Sequence, residues 1–117
     1  MMKMIFILED DEDIRDLIHY LLENEGYSVK SFASVQSFNE QLDYCQPDLV
    51  VLDIWLPDGD GRKVCRSLRK NKALEGLPIV MMTASSIIAA VDGASDFIAK
   101  PFDVNDFVFR IDRLLSA

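Results

Sequence analysis

Four short apolar runs in this chain each end on a residue with a charge or a hydroxyl. Ile5-Phe6-Ile7-Leu8 runs into Glu9-Asp10-Asp11, and Leu49-Val50-Val51-Leu52 runs into Asp53. Ile79 to Met82 leads to Thr83, and Phe97-Ile98-Ala99 leads to Lys100-Pro101. Apolar runs this short, without polar alternation, read as strands covered on both faces. The segments between them place apolar residues at helical spacing. Ile14, Leu17, Ile18, Leu21 and Leu22 form one such face, and Val35, Phe38, Leu42 and Cys45 a second. Val64 and Leu68 point inward from a third, and Val104, Phe107, Val108, Ile111, Leu114 and Leu115 form the last. Strand and helix alternate from end to end, which specifies an α/β chain whose parallel sheet is sandwiched by helices.

Turn chemistry sets the expected boundaries. The first strand is Lys3–Leu8, and Gly26 stops the helix after it. Tyr27–Ala33 reads as the second strand, with Ser34 as the N-cap of the next helix. Pro47 precedes the third strand, Asp48–Asp53, and a helix is expected over Arg62–Asn71. Pro78 opens the fourth strand, Ile79–Thr83; a short helical stretch, Ile87–Val91, ends near Gly93. The fifth strand is Asp96–Ala99, and the last helix begins after Asp103. No repeat or long linker interrupts the pattern, so residues 1–117 read as one domain. In parallel α/β sheets ligands bind beyond the carboxyl ends of the strands. Glu9, Asp10, Asp53, Thr83 and Lys100 all stand at those ends.

Charge and cysteine usage exclude several function classes. With 20 acidic and 12 basic residues the chain carries −8, which argues against direct binding of nucleic acid or an anionic membrane. Cys45 and Cys65 belong to no CxxC or Cys/His cluster, so a zinc site is not expected, and two spare thiols suit a reducing cytoplasm. The N-terminus shows no signal-peptide cleavage pattern, and no apolar stretch reaches membrane-spanning length. Asp58-Gly59-Asp60-Gly61 fails as a calcium loop, because Leu56 and Ser67 would occupy its first and twelfth positions. His19 reads as a boundary residue beside a helix stripe. Asp11, Glu12 and Asp13 read as a solvated helix start that favours the dipole.

Glu9-Asp10 after the first strand, Asp53 with Pro57 and Gly61 after the third, Thr83-Ala84 after the fourth and Lys100-Pro101-Phe102 after the fifth resemble the receiver domains of two-component response regulators. The resemblance covers nearly the whole chain. It implies a flavodoxin-like, doubly wound five-stranded parallel sheet of order 2-1-3-4-5 with five helices. It also implies a phosphorelay role: Asp53 accepts a phosphoryl group from a phosphohistidine, which suits a carboxylate nucleophile. Asp10 and Asp53 would ligate Mg²⁺ directly, joined by the Trp55 backbone carbonyl, with Glu9 holding a metal-bound water. Lys100 would sit on one phosphoryl oxygen and the Thr83 hydroxyl on another, helped by the backbone N–H groups of Ala84 and Trp55. Glu9 and Asp10 are chosen as the acid pair because the family commonly places an Arg five positions after the second acid, here Arg15.

The same resemblance implies a switch through Thr83 and Phe97, acting on the face made by the fourth helix, fifth strand and last helix. Lys100-Pro101 is a candidate cis peptide that aims the ammonium at the site. Two departures stand out. Thr83 and Lys100 are 17 positions apart, shorter than the family spacing by more than a helical turn, so the fourth helix region is shortened. Trp55 stands two residues after Asp53, where its indole would obstruct attacking water and slow hydrolysis. The implied partners are a sensor histidine kinase or histidine phosphotransfer protein, docking near the first helix and the loop after the fifth strand. A downstream protein target or an output domain completes the pathway, and a homodimer is an open alternative. The chain reads either as a stand-alone receiver or as the N-terminal module of a larger regulator. Two rivals remain. One is a receiver fold used as an unphosphorylated scaffold. The other is a haloacid-dehalogenase-type phosphatase, which needs a second Asp where Trp55 stands.

Overall fold

The computed structural model describes residues 2–84 and 93–116. Strand β1 (Met4–Leu8) leads to α1 (Glu12–Asn24), β2 (Ser28–Phe32), α2 (Val35–Leu42) and β3 (Leu49–Asp53). A two-residue-per-arm antiparallel hairpin follows, β4 (Trp55–Leu56) and β5 (Gly59–Asp60), then α3 (Gly61–Lys70) and a 3₁₀ turn at Lys72–Leu74. β6 (Ile79–Thr83), β7 (Asp96–Ala99) and α4 (Val104–Leu115) complete the chain. The large sheet runs β2-β1-β3-β6-β7, all parallel. That is the doubly wound order implied by the receiver-domain resemblance. The expected helical stretch Ile87–Val91 lies outside the described residues.

Register decides where the site forms. Leu8 pairs with Leu52, Asp53 with Met82, and Thr83 with Ala99. The residues ending β1, β3, β6 and β7 therefore meet along one edge. Beneath them, alternate side chains divide between two apolar layers. Phe6, Leu8, Val50, Leu52, Ile79 and Met81 pack against Phe38 of α2 and Val64, Cys65 and Leu68 of α3. Ile5, Ile7, Val51, Val80, Met82 and Ile98 pack against Ile18 and Leu22 of α1 and Phe107, Ile111 and Leu115 of α4. Phe6, Phe32 and Phe38 meet edge to face with centroids 5.2–6.0 Å apart, the geometry favoured by ring quadrupoles.

The helices begin where capping chemistry puts them. Asp11, Ser34, Asp60 and Asp103 each accept a hydrogen bond from a first-turn N–H group. Gly26, at φ +96°, takes the left-handed conformation past the end of α1. Several expectations need correction. α2 ends at Leu42, so Cys45 lies beyond it, its N–H donating to the Gln41 carbonyl at 3.0 Å. Leu17 and Val104 share their helices' apolar spacing yet are exposed: Leu17 stands at the margin of the α1 stripe, and Val104 is the first residue of α4. α3 starts at Gly61 and stops at Lys70, since Asn71 turns extended and caps the 3₁₀ turn instead.

Candidate functional site

β1 delivers Glu9 into the sheet edge fully buried and Asp10 into solvent. Arg15, one turn into α1, reaches back and donates through Nη1 to the carbonyls of Glu9 (2.9 Å) and Asp10 (3.2 Å). That clamp fixes the turn on which both acids sit. Sequence reasoning used Arg15 only to choose the acid pair; its contact with both carbonyls was not foreseen. Asp11, read as part of a solvated helix start, is exposed and caps α1, accepting from the Ile14 N–H at 3.1 Å. Its own N–H donates to Glu9 Oε2 at 3.2 Å.

Asp53, 5% exposed, closes β3. The loop after it is pinned at three points. The Ile54 carbonyl accepts from Gly61 N–H at 2.8 Å, which folds the hairpin back onto β3. A Cβ on Gly61 would stand 2.0 Å from the Asp53 carbonyl oxygen, so only glycine permits this approach. Asp58 accepts from the Val35 and Gln36 N–H groups at the start of α2, at 2.8 and 3.1 Å. Those two backbone donors hold its carboxyl below the ordinary range. The Asp58 tie was not foreseen either; the Asp-Gly turn was visible, but not its distant partner.

Lys100, from the end of β7, enters between the two buried acids. Its ammonium bonds Glu9 and lies 3.2 Å from Asp53 Oδ2. The Lys100 N–H donates to the Thr83 carbonyl at 2.8 Å, and Lys100–Pro101 is cis. Carboxylate oxygens of Glu9, Asp10 and Asp53 come within 4.8 Å of one another. Thr83 is buried at the same edge, Ala84 beside it is exposed, and Trp55 is exposed at the hairpin. Phe97 is half-buried against the α2/α3 layer, and its carbonyl accepts from Arg110 Nη1 at 2.9 Å. The predicted acids and the predicted lysine thus converge.

The electrostatics are unbalanced. Two buried carboxylates share one ammonium. Burial pushes the Glu9 carboxyl up to about 7; its bond to Asp53 pushes the same way, and Lys100 opposes. Burial also works against the Lys100 charge, but the bond to Glu9 and the charges of both acids outweigh it and raise its pKa. The raised Glu9 pKa favours its protonated form, which eases the surplus negative charge that Lys100 alone does not cancel. Three convergent carboxylates are hard oxygen donors of the kind that hold Mg²⁺.

The response regulator receiver domain model matches residues 5–112. The chain is 36% identical over 118 residues to the transcriptional regulatory protein GltR of Pseudomonas aeruginosa, covering 97% of this chain and 49% of that protein. It is 34% identical over 120 residues to the alkaline phosphatase synthesis transcriptional regulatory protein PhoP of Bacillus subtilis, covering 98% and 49%. The chain therefore spans about half the length of the curated relatives it matches. The receiver domain of NtrX from Brucella abortus superposes with a TM-score of 0.86 at 32% identity, covering 97% of this chain and 98% of that one. No described helix is long and apolar enough to cross a membrane. Sequence match and superposition reach the same conclusion as the strand-end geometry: the chain belongs to the response regulator receiver domain family.

Proposed function

We propose that Asp53 is the phosphoacceptor of a two-component phosphorelay. The observation that carries this reading is the convergence of Lys100, Glu9 and Asp10 on the buried Asp53 carboxylate. A carboxylate oxygen of Asp53 attacks phosphorus on a phosphohistidine. The new O–P bond forms as the N–P bond breaks, and the imidazole leaves with the electron pair. Phosphoryl transfer needs alignment and charge neutralisation more than covalent help. Lys100, already beside Asp53, is placed to pass from carboxylate to phosphoryl oxygen.

Asp10 and Asp53 would hold Mg²⁺ with the Trp55 carbonyl, and Glu9 would hold a metal-bound water. When bound, the ion supplies positive charge to the phosphoryl oxygens as the new bond forms. Thr83 and the N–H groups of Ala84 and Trp55 complete the oxygen-binding set, and movement of Thr83 and Phe97 passes the state to the β7–α4 face. The domain acts on itself, in phosphotransfer and in later hydrolysis, and turns over no small substrate. A sensor histidine kinase or phosphotransfer protein is the donor, docking near α1 and the β7–α4 loop. A protein target or output domain is the receiver of the signal, in the cytoplasm.

Incubation with Mg²⁺ and acetyl phosphate, followed by intact mass, tests this. One base-labile phosphoryl adduct is expected, absent in Asp53→Asn and absent without divalent ion. An unmodified parent chain overturns the reading and leaves the scaffold role. Trp55 sharpens it: the indole lies under the Arg62 guanidinium, 5.4 Å from centroid to Cζ, and Arg62 is itself held by Asp60 at 2.7 Å. Two residues beyond Asp53, a ring so braced would obstruct attacking water. Trp55→Asn is expected to shorten the phosphoryl lifetime several-fold, on the order of 1 kcal/mol in barrier; equal lifetimes refute it.

A further inference from the structure

Residues 61–72 hold six of the chain's 12 basic side chains and none of its 20 acidic ones, which leaves the rest of the chain at −14 against a net −8. Two of the six have structural work. Arg62 pairs with Asp60, and Arg69 donates to the carbonyls of Leu77 (2.6 Å) and Gly93 (2.7 Å). Lys63, Arg66 and Lys70 are exposed, and none of them forms a salt bridge among the described residues. At 3.6 residues per turn these three fall within about 60° of arc, one stripe along α3.

Lys70, in the last turn, suits the helix dipole, but the rest of the stripe works against the helix that carries it. Arg62 and Lys63 stand in the first turn, at the positive end of the macrodipole; the N-cap Asp60 pairs with Arg62, and Lys63 has no acid as a salt-bridge partner there among the described residues. Lys63–Arg66 and Arg66–Lys70 are like-charge neighbours at i,i+3 and i,i+4, the spacing at which repulsion destabilises a helix. Local preferences that conflict with the fold mark places kept for another purpose.

Beside the stripe runs a groove of about 510 Å³ between α2 and α3, with Leu42, Val64, Leu68 and Leu74 as its apolar lining. Its wall on the α2 side carries Glu40 and, just past the helix, Asp43. We propose that the α3 stripe and this groove form a docking surface for an acidic amphipathic helix of a partner protein. The apolar face of that helix enters the groove, and its carboxylates face Lys63, Arg66 and Lys70 rather than the α2 wall. An extended polyanion such as DNA has no apolar residues for the groove, and its phosphates meet a surface that is elsewhere strongly acidic. The proposal does not rest on phosphorylation of Asp53, and its test uses the unphosphorylated chain.

The probe is a labelled synthetic helix with Leu at i, i+3, i+4 and i+7 and Glu at the remaining positions, titrated by fluorescence anisotropy. Binding is expected to weaken at least about tenfold in the triple variant Lys63→Glu, Arg66→Glu, Lys70→Glu, and to weaken as salt rises. Lys3→Glu, outside the stripe, is expected to leave binding unchanged. Thermal unfolding of the triple variant at or above the parent temperature shows that its fold is intact. The proposal is overturned if the peptide fails to bind, or if the triple variant binds it equally well. Tighter binding of a DNA duplex than of the peptide overturns it in favour of nucleic acid. Sedimentation of the parent as an oligomer that the triple variant abolishes overturns it in favour of a second copy.

Discussion

The strand-end site and the α3 stripe both gather like charges, but they dispose of them differently. In the site the carboxylates are buried, so water cannot screen them; Lys100, a proton on Glu9 or a divalent cation must do so. Along α3 the charges are exposed, so solvent and salt absorb the repulsion and little is lost until a partner arrives. Gathered buried charge makes a site that answers to metal and pH. Gathered exposed charge makes a surface that answers to salt and partners.

Lys100→Ala breaks the buried arrangement most severely. It removes the one ammonium between Glu9 and Asp53, and the phosphorylation rate with acetyl phosphate is expected to fall by about 100-fold or more. A rate within a few-fold of the parent would show that the lysine is merely structural. Gly61→Ala strikes the seam between the two regions, where a methyl group would meet the Asp53 carbonyl. It is expected to destabilise the chain by about 2–3 kcal/mol in urea unfolding and to displace Asp53.

Glu9 gives the pH dependence. Its folded pKa, about 7, stands above the ordinary 4.5, so the folded chain holds this proton more tightly than the unfolded one. The stability it contributes is complete below about pH 4.5 and is lost as pH rises through about 7. Mg²⁺ binding needs the carboxylate, so affinity is expected to rise over the same window and level off above it. Glu9→Gln should abolish that part of the fall in stability. A parent and variant with parallel stability-against-pH curves, measured without divalent ion, would remove the account. The smallest effect belongs to the stripe: Lys63→Glu should stabilise the chain by about 0.5 kcal/mol at low salt, because an acid then faces the positive end of α3. Mild destabilisation would mean that Lys63 makes a stabilising contact.

The sequence alone determined the strand–helix alternation, the cap at Ser34, the helix starts at Asp11 and after Asp103, and the strand-end placement of Glu9, Asp10, Asp53, Thr83 and Lys100. These are local properties: apolar runs, helical spacing and turn chemistry act over a few residues. Tertiary structure decided what depends on distant pairing. Arg15 gripping two carbonyls, Asp58 tying the loop to α2, Gly61 pressed on Asp53 and Trp55 braced by Arg62 could not be assigned from local pattern. Leu17 and Cys45 show the same limit, since helical spacing tells which residues share a direction, not how far a neighbouring layer reaches around α1 or where α2 ends. Glu9 and Asp10 make the division plainest. Adjacent in sequence and alike in charge, one is buried against an ammonium and the other is left in water, because β1 ends between two strands whose register only the folded sheet sets.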